Sequence, residues 1–144
     1  MHDAFLSYSV TLGGLAALGA ISAAQGMIGG VIKNAVSGQP AGQPVAGDMR
    51  SFAFRAVRTH QNGVENLPAF FAVTLAAVLI GVATPTLVWL TVAVLITRVF
   101  YWVVYYLGIG TERFCARSLL YVVTPLVTLV IGVLSLLTLC ASQS

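Results

Sequence analysis

Four long apolar runs constrain the fold of this chain more than any other feature of its sequence. They cover Phe5–Ile32, Leu67–Val82, Leu87–Leu107 and Ser118–Ala141. A helix needs about 20 apolar residues to cross the hydrocarbon core of a bilayer, and each run reaches or approaches that length. Only 8% of the residues are charged, and the mean hydropathy is +0.95. Both values indicate an integral membrane protein and exclude an ordinary soluble domain.

The runs predict a single all-α domain over residues 1–144, built as a bundle of four transmembrane helices. We expect these helices at about 5–32, 52–82, 86–107 and 117–141. The second helix should start before its apolar run, because that run alone is too short to span the membrane. No segment alternates polar and apolar residues with a period of two, so a transmembrane barrel is not expected.

The basic residues predict how the bundle is oriented. They cluster in two connections, as Lys33, Arg50, Arg55, Arg58, Arg113 and Arg117. By the positive-inside rule, the loops 33–51 and 108–116 are expected in the cytoplasm and both termini on the opposite side. The N-terminus lacks the basic stretch of a signal peptide, so the first run should remain as a transmembrane helix. Topology accounts for the net positive charge, which therefore gives no indication of nucleic-acid binding.

A dense polar block opens the second helix, near Phe52. Four of its residues recur at helical spacing and should share one stripe of the helix surface: Arg55, Arg58, Asn62 and Glu65. Asp48 is expected to cap this helix. Pro68 follows one turn after Glu65 and removes a backbone hydrogen bond. Two interpretations of Pro68 stay open, a kink that shapes a cavity and a tolerated irregularity.

Arg98 lies in the third apolar run, about 14 Å along the helix from its cytoplasmic end. An isolated Arg at such depth costs at least about 2.5–3.5 kcal/mol, so its side chain should face the bundle and find an acceptor. Glu65 is the acid in the corresponding half of the bundle. We predict that it pairs with Arg98, directly or through Asn62 or Asn66. The alternative role for such a pair is to hold two helices together without contacting a ligand.

Five aromatic residues follow Arg98 within the same predicted helix: Phe100, Tyr101, Trp102, Tyr105 and Tyr106. Tyr101 and Tyr105 recur at helical spacing from Arg98 and should point inward with it. Trp102 and Tyr106 are expected in an aromatic belt at the membrane interface, where amphipathic rings settle. The third helix is therefore predicted to present one arginine and two tyrosines to the interior.

The fourth helix begins with Arg117 and Ser118, one turn before Tyr121. Backbone N–H groups and the helix dipole favour an anion at such a position. No cluster of His, Cys, Asp or Glu has metal-ligand spacing, and no Ser–His–acid set is apparent. The charges at this end of the bundle are mainly positive, which favours a small polyanionic ligand held beside the membrane. Such a site would bring a water-soluble cosubstrate to a lipid-soluble partner.

The spacing of these residues resembles that of the MAPEG family, the membrane-associated proteins of eicosanoid and glutathione metabolism. The matching elements are Arg58-x-His60-x-Asn62-x-x-Glu65-Asn66-x-Pro68-x-Phe70, then Arg98-x-x-Tyr101-x-x-x-Tyr105, and Arg117-Ser118-x-x-Tyr121. The resemblance covers nearly the whole chain. It implies a homotrimer that binds glutathione between neighbouring subunits near the cytoplasmic face. The implied activity is that of a glutathione transferase or peroxidase acting on hydrophobic electrophiles or lipid hydroperoxides.

The resemblance also implies roles for single residues. Arg117 and Ser118 match positions that stabilise the glutathione thiolate, so they are the expected catalytic residues, and no metal is expected. The residues expected to bind glutathione are Lys33, Arg58, Gln61, Asn62, Glu65, Arg98, Tyr101, Tyr105 and Tyr121. Gln61 and Tyr101 stand where the prostaglandin synthase of the family has Arg and His, which argues against a prostaglandin substrate. The short connections are similar to those of bacterial members, which indicates a bacterial inner membrane.

Two other functions compete with a glutathione enzyme. A non-catalytic family member would bind a lipid without converting it, but such a scaffold needs neither Glu65 nor the pair formed by Arg117 and Ser118. A four-helix drug transporter needs an acid within the membrane for proton coupling, and Phe5–Ile32 contains none. The enzyme is therefore ranked first, the scaffold second and the transporter last.

Overall fold

The computed structural model describes residues 6–37, 43–110 and 116–143, and four long helices account for most of them. They are α1 (Ser9–Ile32), α2 (Phe52–Ile80), α3 (Thr84–Leu107) and α4 (Ala116–Ala141). All four are long and apolar enough to cross a membrane, and no strand occurs in these three stretches of chain. The prediction of an all-α membrane protein with four transmembrane helices is confirmed.

Local capping chemistry sets the start of α2. Ser51 is the N-cap, because its hydroxyl accepts a hydrogen bond from the backbone N–H of Phe54 at 3.4 Å. Asp48, the expected cap, instead accepts a hydrogen bond from the backbone N–H of Arg50 at 2.8 Å. The Asp48 prediction is wrong because this carboxylate closes a local turn before the helix begins, as Asp side chains commonly do.

The two ends of the bundle differ in their chemistry. We call one end the basic end, because the connection that carries Lys33 and Arg50 lies there. At the opposite end, Gly81 terminates α2 with φ of +86°, a left-handed conformation that favours glycine. The Tyr8 hydroxyl donates a buried 2.7 Å hydrogen bond to the carbonyl of Val82. This bond ties the start of α1 to the turn between α2 and α3.

The two middle helices form the centre of the bundle, and α1 and α4 each pack against both of them. Buried apolar side chains from all four helices fill the space between: Leu18, Leu67, Phe70, Leu87, Val94 and Ile131. Helix α1 approaches α2 closely at Gly26, where an added Cβ atom would lie 2.9 Å from Cε1 of His60. The polar side chains of the candidate site emerge at the basic end of this core.

Candidate functional site

Three side chains of α3 line the interior toward the basic end. Arg98, Tyr101 and Tyr105 are all buried, which confirms that this face of α3 points into the bundle. The ring centroids of Tyr101 and Tyr105 lie 5.1 Å apart, and Tyr121 of α4 approaches Tyr101 at 6.4 Å. Trp102 is also buried, so its assignment to the interfacial belt is wrong. It follows Tyr101 directly, and its side chain lies at the inner edge of the helix.

Arg98 is fully buried, and none of its three guanidinium nitrogens has a hydrogen-bond partner among the described residues. Its Cζ lies 5.6 Å from the centroid of the Tyr101 ring, which is a cation–π contact. The predicted pair with Glu65, direct or through Asn62 or Asn66, is therefore wrong. A buried guanidinium without an acceptor is strongly unfavourable. This side chain is the clearest indication of a ligand site in the described part of the chain.

Glu65 pairs with Arg58 instead of Arg98. Arg58 Nη1 lies 3.4 Å from Glu65 Oε1 and 3.4 Å from Gln61 Oε1. The side chains of Arg58 and Glu65 are 42% and 48% exposed within the single chain. Asn62 and Glu65 are three residues apart, so their directions on the helix differ by about 60°. That difference places Asn62 inside the bundle and Glu65 on its outer side.

Asn62 joins α2 to α3. Its buried side-chain amide donates a hydrogen bond to the hydroxyl oxygen of Tyr101. Its backbone carbonyl accepts a 2.9 Å hydrogen bond from the side chain of Asn66. Helix α2 continues through Pro68, which lines neither of the two cavities described below. Asn66 and Ala69, on either side of Pro68, line the second of these cavities, so both interpretations of Pro68 stay open.

The start of α4 brings Arg117 toward the same interior surface. Its Cζ lies 5.2 Å from the centroid of the Tyr105 ring. Ser118 and Tyr121 follow it and are both half-buried. Six predicted residues therefore come together, and we call them the inner wall: Asn62, Arg98, Tyr101, Tyr105, Arg117 and Tyr121. Three others lie apart on the outer side of α2, and we call them the outer group: Arg58, Gln61 and Glu65.

Two cavities flank the outer group. One, of about 320 Å³, is lined by Pro44, Val45, Phe54, Val57, Arg58 and Gln61. The other, of about 260 Å³, is lined by Glu65, Asn66, Ala69, Pro125, Thr128 and Leu129. The pair formed by Arg58 and Glu65 thus stands between them. Lys33 donates a hydrogen bond from Nζ to the carbonyl of Gln43, next to the segment that covers the first cavity.

Spacing alone revealed neither Thr124 nor the contacts that Arg55 makes in this region. Thr124 is fully buried at a depth in α4 similar to that of Arg98 in α3, and its hydroxyl has no partner among the described residues. Its position one turn after Tyr121 was the available signal. Arg55 belongs to the predicted stripe, but its contacts run to backbone carbonyls, which no side-chain pattern indicates.

The inner wall can bind an anion but supplies no nucleophile. Its members are two arginines, three tyrosines and one asparagine, so it contains neither a carboxylate nor a thiol. Guanidinium groups match carboxylates in charge and geometry. A reaction at this surface would therefore need a ligand that brings both an anionic group and the reacting group.

The sequence of the chain matches one family model, described as the MAPEG family, over residues 5–137. The match includes every residue of the inner wall and the outer group. No curated protein and no solved structure gives a significant match.

Proposed function

The chain belongs to the MAPEG family, and we propose that it is a membrane enzyme that uses glutathione as cosubstrate. Its reaction would be the transfer of glutathione to hydrophobic electrophiles or the reduction of lipid hydroperoxides. The observation that carries this proposal is the buried guanidinium of Arg98, which contacts the Tyr101 ring but has no hydrogen-bond acceptor in the part of the chain that the structure describes. Glutathione has two carboxylates, an ammonium and a thiol. It would therefore bring the anionic acceptor and the nucleophile that the inner wall lacks.

A homotrimer would unite the two groups of residues that a single chain keeps apart. The outer group lies on a helix long and apolar enough to span the membrane, and two of its side chains are charged. Charged groups that face lipid are unfavourable, which supports a protein neighbour at this surface. In the proposed assembly, the outer group of one subunit faces the inner wall of the next, with glutathione between them. Glu65 would hold the ammonium, the arginines would hold the carboxylates, and Lys33 would add a cation at the rim.

The inner wall suits activation of a thiol. A thiol with an ordinary pKa of about 8.5 is mostly protonated at neutral pH, and a nearby cation favours the reactive thiolate. Arg117 is held against Tyr105, and we assign this stabilisation to Arg117, with Ser118 as a hydrogen-bond donor to the sulfur. The thiolate would form a C–S bond to an electrophile as the leaving group departs. With a hydroperoxide, the thiolate would attack the terminal oxygen, so that the O–O bond breaks, the departing alkoxide takes a proton to become an alcohol, and the sulfur becomes a sulfenic acid. A second glutathione would then convert the sulfenic acid to glutathione disulfide and water.

The charge distribution supports an orientation for the proposed enzyme. Lys33, Arg50, Arg55 and Arg58 all lie at the basic end, and the positive-inside rule assigns that end to the cytoplasm. The first and last residues would then lie on the other side of a bacterial inner membrane. Cytoplasmic glutathione could reach the site from water, and the second substrate could reach it from the bilayer.

A non-catalytic lipid-binding scaffold is the second candidate. The cavity between α2 and α4 favours it, because Ala69, Pro125 and Leu129 give it largely apolar walls. A scaffold would bind lipid there and would not need glutathione. The two candidates therefore differ in their response to glutathione.

Glutathione binding by the purified protein is the deciding experiment. We expect calorimetry to show saturable binding and ultraviolet difference spectra to show a thiolate band that disappears in Arg117→Ala. Arg50→Ala is the matched control, because this arginine is exposed in the connection before α2. It should leave both signals unchanged. Absence of binding at millimolar glutathione would reject the enzyme and favour the scaffold.

A further inference from the structure

Arg55 connects three parts of the structure at the basic end. Its Nη1 donates hydrogen bonds to the carbonyls of Met49 at 2.8 Å and Arg50 at 2.9 Å. Its Nη2 donates to the carbonyl of Tyr106 in the last turn of α3, at 3.3 Å. One guanidinium from the first turn of α2 therefore holds both the preceding connection and the end of the neighbouring helix.

The end of α3 is a suitable place for this guanidinium. The last carbonyls of a helix lack intrahelical donors, and the helix dipole makes this end negative. The N–H groups of Gly108 and Ile109 bond to Tyr105 and Val104 at 3.1 and 3.0 Å. The carbonyl of Tyr106 is left for Arg55, which supplies its donor from another helix.

Gly108 makes room for the guanidinium. A Cβ atom at this position would lie 3.0 Å from Cζ and 3.1 Å from Nε of Arg55. Gly108 also has φ of +70°, in the left-handed region. Gly81 ends α2 in a similar conformation, with φ of +86°, but nothing lies within 4 Å of its added Cβ atom. The two glycines thus separate the effect of backbone strain from the effect of crowding Arg55.

The contact bears directly on the inner wall. Tyr105 immediately precedes Tyr106, and its ring packs between Tyr101 and the guanidinium of Arg117. Asn62 lies two turns beyond Arg55 on the same helix. Arg55 therefore joins α2 to the last turn of α3, and these two helices carry the inner-wall residues Asn62 and Tyr105.

We propose that Arg55 is a positioning residue, which preorganises Tyr105 for glutathione without touching it. The glutathione part of this proposal rests on the proposed function, whereas the clamp on α3 does not. Lysine cannot replace Arg55 fully. Its single ammonium cannot reach both the carbonyls of Met49 and Arg50 and the carbonyl of Tyr106, as the planar guanidinium does. The end of α3 should therefore be ordered in the unmodified protein and loosened when the guanidinium is lost.

Hydrogen–deuterium exchange tests the clamp directly. In Arg55→Met, amide exchange over residues 104–110 should accelerate about tenfold, while exchange over residues 77–82 at the opposite end stays unchanged. Arg55→Lys should give an intermediate rate, and Arg50→Met should match the unmodified protein. Gly108→Ala should accelerate exchange over 104–110 as Arg55→Met does. Gly81→Ala adds similar backbone strain without crowding a side chain, so it should accelerate exchange over 77–82 much less than Gly108→Ala accelerates exchange over 104–110.

Steady-state kinetics then test the positioning role. If Arg55→Met lowers the population of the binding-competent arrangement, the KM for glutathione should rise about tenfold while kcat stays within about twofold. Arg55→Lys should recover part of the affinity. A fall in kcat with unchanged KM would indicate loss of folded protein and would overturn the proposal. Unchanged exchange over 104–110, or a uniform rise along the chain, would overturn it as well.

The two proposals fail in different ways. If the unmodified protein binds no glutathione, the proposed function is rejected together with the glutathione role of Arg55. The exchange rates would still support or reject the clamp itself, because they are measured without any ligand.

Discussion

The side-chain amide of Asn62 donates a hydrogen bond to the hydroxyl of Tyr101, and this bond joins α2 to α3 inside the bundle. Both side chains are buried. Because the phenol oxygen accepts from Asn62, its own proton remains available to a second acceptor. The two residues also belong to different segments of the MAPEG-like pattern. Their contact explains why those segments can contribute to one surface.

The bond between Asn62 and Tyr101 should show strong energetic coupling. Tyr101→Phe leaves the buried amide of Asn62 without an acceptor, which should destabilise the protein by about 1–3 kcal/mol. Asn62→Leu should also destabilise it, and the double variant should lose less than the sum. The free energy of unfolding of the four proteins in mixed detergent micelles completes this double-mutant cycle. If the losses of the two single variants simply add up in the double variant, the contact is contradicted.

Arg98→Met should stabilise the protein in the absence of ligand. Arg98 has no hydrogen-bond acceptor among the described residues, so replacing it by an apolar side chain of similar length removes a desolvation cost, with an expected gain of about 1–4 kcal/mol. The same change should abolish glutathione binding, because the carboxylate loses its guanidinium. Thermal unfolding with and without glutathione would measure both effects, with Arg50→Met as the exposed control. A lower melting temperature without ligand would mean that the protein itself supplies an acceptor.

Glu65→Gln should affect binding much more than folding. Its pair with Arg58 is partly exposed in the single chain, and such pairs contribute about 0–1 kcal/mol. Loss of the carboxylate should weaken glutathione binding about ten- to hundredfold, since a hydrogen bond to a charged group contributes about 1.5–3 kcal/mol. Calorimetry and unfolding on the same sample would separate the effect on binding from the effect on folding. Equal affinity for Glu65→Gln and the unmodified protein would remove Glu65 from the site.

Arg117 should matter for catalysis through both its charge and its contact with Tyr105. Arg117→Ala should lower kcat about hundredfold, in line with the loss of one electrostatic stabiliser. Arg117→Lys keeps the charge but stacks less well on the Tyr105 ring. Its kcat should therefore lie between that of Arg117→Ala and that of the unmodified protein. Turnover of a chromogenic electrophile at saturating glutathione is the measurement. A kcat in Arg117→Ala close to that of the unmodified protein would assign thiolate stabilisation elsewhere.

The helices and the inward face of α3 could be predicted from sequence because both depend on periodic patterns. Apolar runs of membrane-spanning length leave little choice but helices. Arg98, Tyr101 and Tyr105 recur at a spacing that places them on one face. That face is buried because polar groups in mid-membrane avoid lipid.

The partner of Arg98 could not be predicted in the same way. A stripe of residues at offsets of three, seven and ten is broad, and it crosses the boundary between the inner and outer sides of α2. Asn62 falls on one side of that boundary and Glu65 on the other, although both belong to the same pattern. Which edge of a helix is buried depends on the packing of its neighbours, and this information is spread over the whole chain.

The predicted cap of α2 and the predicted position of Trp102 were wrong for local reasons. Asp48 and Ser51 are both good capping residues, and their competition was decided by the turn that Asp48 makes with Arg50. Trp102 was expected at the interface because indole rings are common there, but burial between helices competes with that preference. Neither outcome follows from residue type alone.

The length of α2 bears on where a water-soluble molecule and a lipid-soluble molecule can meet. Its 29 residues extend about 43 Å, whereas the hydrocarbon core is about 30 Å thick. The mismatch of about 13 Å should be taken up at the polar start of the helix, since its other end is apolar. The boundary between water and hydrocarbon therefore crosses α2 within the segment that carries Arg58 and Asn62. A hydrophilic thiol and a lipid-dissolved molecule could meet there without either one leaving its own phase.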